Sequence, residues 1–519
     1  VRDDYDAIVI GSGFGACFAA EPLVASGARV LMLERGGWVA RGPHNWGPRA
    51  SMELTPHYSA ATPFEVVEGG QQPRMGLCTC VGGQSVFYGG VSFRLRERDF
   101  LPKPEIVGDS GAEWPLRYPD LEPHYEAVER WLEVAGEAGA DPGEPPRKTP
   151  FPQRPAPLSE TARMVGNAGR GLGLRPFPLP LAIKYRADGG RNACIACPTC
   201  DTFACAVEAK NDLATAVLPR LIERGLQLKA ELPVVRLVER EGRVVEVECV
   251  DRDASRRVSF RADLVILAAG ALATPQLLLA SALDRLNPAA DAIGRYLMRH
   301  CNGITFGLFR HLPDEAKTFH KQLAFNDFYF GDSAHDEGPG GMLGSIQQLQ
   351  TPPIQLVLAN APRLARPLLP RAIPRITGLL VMAEDQPRPE NRLWLDPLRR
   401  DGLGLPVMLV RHRHTRRDRL ARRALARQAR RILRGAGALV CYTHEIRTFS
   451  HAAGTVRFGD DPRTAPLDRD CRFRGVENLF VVDASVMPGG GGVNPSLTIA
   501  ANALRVGTAI ARGQLGSGS

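Results

Sequence analysis

Residues 4–37 read DYDAIVIGSGFGACFAAEPLVASGARVLMLERGG, and the rest of the chain is arranged around them. The run from Asp4 to Ile10 is a short apolar strand. Gly11, Gly13 and Ala16 then fill a G-x-G-x-x-G/A frame, an Ala-rich helix with an expected kink at Pro22 follows, and a second apolar strand ends at Glu34. Gly11 lets the chain turn off the strand. Gly13 removes a side chain where a pyrophosphate must approach the backbone, and Ala16 lets helix and strand pack closely. Cys17 to Ser26 reads as that helix, whose free N–H groups and positive dipole end suit that pyrophosphate. Glu34 stands 23 residues after Gly11, where a carboxylate takes the hydroxyls of an adenosine ribose, with Arg35 beside it. A glycine triplet alone is weak evidence. Placed after a strand, before a helix and ahead of an acid, it points to an adenine dinucleotide, NAD or FAD.

Composition bounds the rest. At 519 residues, with 44% hydrophobic and 23% charged residues, the chain reads as a globular protein of two intertwined domains. Its formal charge is +9, yet only seven of its 65 basic residues are lysine. With abundant Ala and Gly, that bias fits a GC-rich genome better than a nucleic-acid surface. In the Arg-rich run 411–434, Leu420, Leu425 and Ile432 recur as one buried face of a helix would, so a solvated amphipathic helix is expected there and nucleic acid is not an expected partner. The first strand begins too near Val1 for a signal peptide to precede it, and no apolar run is long enough to span a membrane. A cytoplasmic location is expected, with the eleven cysteines mostly thiols or ligands.

Further along, residues 78–94 carry Gly82-Gly83 and Gly89-Gly90 around a small and aromatic segment that includes Ser85. Such a segment either lies flat on a planar ligand or forms a glycine-rich turn. Residues 114–132 predict a helix entered through Pro119 and Asp120, and prolines dominate 141–157. Cys194-x2-Cys197-x2-Cys200-x4-Cys205 has the gaps that thiolate ligation of zinc or an iron–sulfur cluster uses, although its last gap is one residue longer than in the bacterial ferredoxin run and no proline follows. Free or paired thiols are the favoured reading. Residues 226–250 predict two or three strands around Glu241-Gly242, and 262–278 a buried strand, a Gly turn at Ala269-Gly270 and a helix that returns to the nucleotide sheet. Scattered strands follow at 304–308, 378–382, 393–395 and 407–411. They predict an inserted domain whose antiparallel sheet forms one wall of a substrate pocket.

Near the C-terminus an apolar strand ends at Asp483-Ala484, a glycine-rich loop follows, and Asn494-Pro495-Ser496 opens a helix. At this point a resemblance emerges. GSGFGA with Glu34, GGQSVFYGG, LVILAAGALATPQLLL, IGRYLMRH, HAAGTVRFGDDP, NLFVVDASVMP and GVNPSLTIAANALR occur in the order seen in the glucose–methanol–choline (GMC) family of FAD-dependent oxidoreductases, and the chain is similar to its bacterial sugar- and polyol-oxidising members. The resemblance implies an α/β fold: a Rossmann-like FAD-binding domain with an inserted substrate domain on an antiparallel sheet. It divides the chain into 1–105 (FAD-binding), 106–190 (cap), 191–300 (FAD-binding, with the cysteines), 301–443 (substrate-binding) and 444–519 (FAD-binding, with the catalytic pair).

That family places a histidine and a second His or Asn over the flavin, and the matching positions are His451 and Asn494. Oxidising an alcohol removes an O–H proton, which an imidazole accepts, and a C–H hydride, which goes to flavin N5; an amide holds the substrate oxygen. His300 and His444 are lesser candidates. The resemblance further implies FAD contacts at Gly11, Gly13, Phe14, Gly15, Glu34, Arg35, Gly82, Gly83, Ser85, Gly89, Gly90, Val235, Ala269, Gly270, Asp483, Ala484, Asn494, Pro495 and Ser496. The GGQSVFYGG segment contains no histidine for a covalent link, so non-covalent FAD is expected. Some relatives carry an iron–sulfur cluster in the cysteine region, which remains the minority reading here. The expected activity is oxidation of a sugar, glycoside, aminosugar or polyol CH–OH group, with oxygen or another acceptor reoxidising the flavin. Alternatives are a dehydrogenase subunit that passes electrons through a cluster, and a sterol or simple-alcohol oxidase of the same family.

Overall fold

A computed structural model describes residues 4–47, 58–59, 64–67, 77–101, 103–187, 190–197, 199–251, 256–313, 321–331, 339, 342–349, 358, 363–364, 366–367, 369–449 and 451–514. Much of the aperiodic stretch 38–70 lies outside the described residues.

The nucleotide sheet assembles from four distant parts of the chain. In spatial order its parallel strands are Gln227–Lys229, Val30–Leu33, Asp4–Ile10, the second half of Arg256–Leu267, and Leu479–Val481. The central strands are continuous apolar runs, as strands buried on both faces are; Ile8, Val9, Leu31, Ile266 and Leu479 are fully buried. The first half of Arg256–Leu267 instead pairs antiparallel with Arg243–Asp251, which pairs with Val234–Arg240 through the expected Glu241-Gly242 turn, both residues at positive φ.

Helix Phe14–Ala25 runs through Pro22 without interruption. It packs on the C-terminal helix Ser496–Ala511, and Gly507 makes the contact: a Cβ there would sit 2.4 Å from the Ala19 carbonyl oxygen. Helix Tyr118–Trp131 packs on the other side of the C-terminal helix, burying Leu121, Tyr125 and Val128 at the expected spacing, and the Tyr125 hydroxyl bonds Thr498 Oγ1 at 2.8 Å.

The inserted domain is a six-stranded antiparallel sheet in the order Val440–Glu445, Cys301–Leu308, Ile376–Ala383, Gly344–Leu349, Leu323–Phe325 and Phe177–Pro178. The Arg-rich segment is helix Arg416–Gly435, capped by Thr415 and Asp418. Its buried face is Ala421, Ala424, Leu425, Ala429, Ile432 and Leu433, packed on the sheet; Leu420 is 36% exposed and lies off that face. Two expected strands leave this sheet. Arg392–Arg400 and Pro406–Arg411 form a separate three-stranded sheet with Phe64–Val66, over Leu272, Leu297 and Phe449. No helix among the described residues is long and apolar enough to cross a membrane.

Candidate active site

A cavity of about 240 Å3 opens at the C-terminal edge of the parallel strands, where open α/β sheets bind ligands. It brings together Gly11, Gly13, Phe14, Gly15, Glu34, Arg35, Gly82, Gly83, Ser85, Ala269, Gly270, Asp483 and Ala484. The glycines differ in what they do. Gly11 has φ +101°, and a Cβ would lie 2.4 Å from the Ala268 carbonyl oxygen, so the turn itself requires glycine. At Gly15 a Cβ would meet the Val482 carbonyl oxygen at 2.4 Å, so the close helix–strand approach expected at Ala16 is made here. Around Gly13 and Gly270 a Cβ would meet nothing within 4 Å. Their bare backbone faces open space, which is the cradle a pyrophosphate needs.

Glu34 is buried and already hydrogen-bonded. Its Oε2 accepts from Ser12 Oγ at 2.6 Å and its Oε1 from the Gly36 amide at 2.8 Å; burial raises its pKa against those bonds. Ser12 Oγ also accepts from the Gly82 amide at 3.0 Å, joining the dinucleotide turn to the second glycine segment. Asp483 is likewise engaged: its Oδ2 accepts from the Gly270 amide at 2.9 Å and from Thr274 Oγ1, and its Oδ1 from the Ser485 amide at 2.7 Å. A ribose acid, two open glycines and the N-terminus of a 12-residue helix fit an adenine dinucleotide such as FAD.

Other expected positions sit elsewhere. Val234 lines the cavity, whereas Val235, 6% exposed, faces the opposite side of the strand, as the two-residue pleat requires. Gly89, Gly90, Asn494, Pro495 and Ser496 lie outside the lining. Gly90, at φ +79°, serves a turn whose carbonyl accepts the Ala182 amide at 2.7 Å. Lining residues missed in the sequence include Ser12, Thr79, Gln276, Leu405, Phe449 and Ala452. Phe449 and Ala452 flank His451 in the sequence, a signal that could have found them; Leu405 lies in the turn between Arg392–Arg400 and Pro406–Arg411 and carries no local signal.

His451 lies between those two lining residues. Its Nδ1 is 3.0 Å from His300 Nδ1, and the two rings meet edge to face with centroids 5.1 Å apart. Burial, reinforced by His300 and Lys321, brings the His451 pKa down to about 3, so the ring is neutral at ordinary pH. His300 Nε2 lies 2.9 Å from the Gly491 carbonyl oxygen, in the glycine loop that leads to Asn494. Asn494 Oδ1 accepts from Gln347 Nε2 at 2.8 Å, which turns its own NH2 group away from that partner. His444 is exposed on the edge strand, opposite Ile304, and takes no part.

His300 is itself clamped. It has φ +60°, a left-handed backbone uncommon outside glycine. Asp385 accepts the amides of Arg299 at 2.9 Å and His300 at 3.0 Å, and His414 Nε2 donates to the His300 carbonyl at 3.1 Å. Among the described residues, Asp385, His412 and His414 are the one group of three whose ligand atoms gather within 4.8 Å. Hydrogen bonds account for that gathering: Arg299 Nε donates to His412 Nδ1 at 3.1 Å, leaving the His412 Nε2 proton for Asp385. The sulfurs of Cys194, Cys197, Cys200 and Cys205 form no such group among the described residues, and burial pushes the Cys194 and Cys200 thiols up to about 11 and 12.

Known proteins bear on this arrangement. Residues 5–302 and 387–503 match two models described as GMC oxidoreductase. The chain is 32% identical to a 6'''-hydroxyparomomycin C oxidase of Streptomyces lividus, covering 98% of this chain and 91% of that protein. It is also 32% identical to a paromamine 6'-oxidase of Streptomyces fradiae, covering 98% and 92%. Among solved structures, pyridoxine 4-oxidase from Mesorbium loti superimposes with a TM-score of 0.68 at 20% identity, over 97% of this chain and 98% of that one. Two family models spanning both ends of the chain, and relatives matched over nearly all of it, agree with the cavity and the histidine pair: this chain belongs to the GMC oxidoreductase family.

Proposed function

We propose that this protein oxidises a CH–OH group of a polyhydroxylated small molecule, an aminosugar or related glycoside, with non-covalent FAD, His451 as proton acceptor and Asn494 as orienting amide. The observation that carries the reading is the place of His451: half-buried, neutral, and lying in the chain between two residues that line the dinucleotide cavity. A neutral imidazole accepts the hydroxyl proton. The free NH2 of Asn494 donates to the substrate oxygen and holds it as negative charge develops there. Bound FAD supplies the electron sink, taking the hydride released as C–OH becomes C=O.

The aminosugar class is favoured by the two relatives named for oxidising paromomycin-type compounds. The segment 82–90 carries no histidine that could bond the cofactor, which supports a non-covalent cofactor. A chain with eleven cysteines suits the cytoplasm as a reducing compartment in which thiols persist, and the four of the central run enter no step. The test is anaerobic bleaching of the flavin absorption against a panel of aminosugars, neutral sugars, polyols, sterols and simple alcohols, followed by air. Bleaching by the aminosugars before the rest is the expected result, and rapid recovery in air marks an oxidase. The reading fails if His451→Ala bleaches at the wild-type rate.

A further inference from the structure

We propose that His300 is a positioning residue that fixes the tautomer of His451, so that His451 carries its proton on Nδ1 and presents a bare Nε2 to the substrate. The proposal rests on the reading of His451 as the proton acceptor and adds the atom and the device.

The logic starts at a group that cannot donate. The Gly491 carbonyl oxygen lies 2.9 Å from His300 Nε2. A carbonyl only accepts, so His300 Nε2 carries a hydrogen. With His300 taken as the neutral imidazole, its other nitrogen is a bare acceptor; a cationic His300 would reverse the order, and that is the outcome the NMR measurement below detects. That nitrogen, Nδ1, is 3.0 Å from His451 Nδ1. Two bare nitrogens at this distance would repel, so His451 Nδ1 carries the hydrogen and donates it. His451 Nε2 is left with its lone pair, the form a general base needs. One fixed carbonyl thus determines proton positions through two rings.

The surroundings hold this chain of bonds in place. Gly491 is pinned from its other side, its amide donating to Glu384 Oε1 at 3.0 Å. His300 keeps a left-handed backbone, at φ +60°, under the clamp of Asp385 and His414. Such a conformation persists only where neighbours over-determine it, and it clusters at functional sites.

Two measurements test the proposal on the flavin-loaded protein. In the first, 15N-histidine NMR of the wild type reads the tautomer directly, with His451 assigned by its loss in His451→Gln. A pyrrole-type Nδ1 and a pyridine-type Nε2 are expected; the reverse overturns the proposal. In the second, anaerobic flavin reduction is compared in His300→Leu and His300→Asn. Leu fills the space but accepts nothing, and it should slow reduction by about 100-fold, the lower end of what general acid–base catalysis contributes. Asn tolerates the left-handed backbone and can put Oδ1 where Nδ1 stood, so it should recover most of that loss. Equal rates in the Leu variant and wild type, or an Asn variant as slow as Leu while retaining flavin, overturn it. A wild-type rate in His451→Ala removes the proton-acceptor role alone, because the NMR tautomer is read without turnover.

Discussion

The Ser12 hydroxyl donates to Glu34 at 2.6 Å and accepts from the Gly82 amide at 3.0 Å. One small side chain therefore ties the dinucleotide turn, the ribose acid and the second glycine segment together. Ser12→Ala leaves the Gly82 amide without its acceptor and one Glu34 oxygen without its donor. A lost hydrogen bond of this kind is worth about 1.4 kcal/mol, or roughly a tenfold weaker Kd for FAD. Fluorescence titration of the apoprotein checks this, and an unchanged Kd would show that the bond does not shape the site.

Gly11 and Gly13 should fail differently. Alanine at Gly11 would bring its Cβ to 2.4 Å from a carbonyl oxygen at φ +101°, so Gly11→Ala should lower the melting temperature with or without flavin. Alanine at Gly13 meets nothing within 4 Å of protein. Gly13→Ala should keep the apoprotein's melting temperature and lose flavin, because the methyl group occupies space reserved for the pyrophosphate. Melting curves and flavin content of the two purified variants separate structure from binding.

These contrasts show what was legible in the sequence. The opening βαβ unit declared itself because strand, turn and helix are local and their periods differ. The antiparallel insertion was legible as scattered short strands, but not the membership of its sheet. Arg392–Arg400 and Pro406–Arg411 look like neighbours of Ile376–Ala383 in sequence, yet they pair with each other, and Pro406–Arg411 pairs on its other edge with Phe64–Val66, more than 300 residues earlier. Alternation shows that a strand exists, not which edge it joins. Ser12 reads as filler between two glycines, and its value comes from Gly82, 70 residues on. His300 reads as a secondary histidine because the 151 residues separating it from His451 hide a 3.0 Å contact.

His414 gives a clean acid signature. Burial, aided by His412 and Arg299, brings its pKa down to about 3 from an ordinary 6.5. Between those values the unfolded chain binds a proton that the native protein refuses, so this group's contribution to stability falls as pH falls. His414→Gln keeps an N–H for the His300 carbonyl and abolishes the titration. The stability of the wild type relative to this variant should therefore drop by about 1.4 kcal/mol per pH unit from pH 6.5 toward 3. All other titrating groups are common to both proteins, so denaturant midpoints measured in parallel at several pH values isolate the term. A difference independent of pH would mean that His414 is protonated in the native state.

Glu384 joins two requirements that can be separated. Its carboxylate takes the Lys103 ammonium on both oxygens, at 2.7 and 2.8 Å, and its Oε1 also accepts the Gly491 amide. Both side chains are buried, with Asp99 the nearest other carboxylate, 3.7 Å from Lys103. Glu384→Gln removes the charge but keeps an acceptor for Gly491. It leaves the ammonium short of a partner, and removing one member of a buried pair costs about 3–5 kcal/mol. Glu384→Leu removes the acceptor as well. If the carboxylate only balances Lys103, the double variants Lys103→Met/Glu384→Gln and Lys103→Met/Glu384→Leu should recover stability and flavin-reduction rate alike. If it also anchors the glycine loop, the Leu double variant recovers stability but stays slow, because the Gly491 carbonyl that orients His300 has lost its tether. The second outcome is expected from the bond to Gly491, and equal rates in the two double variants would refute it.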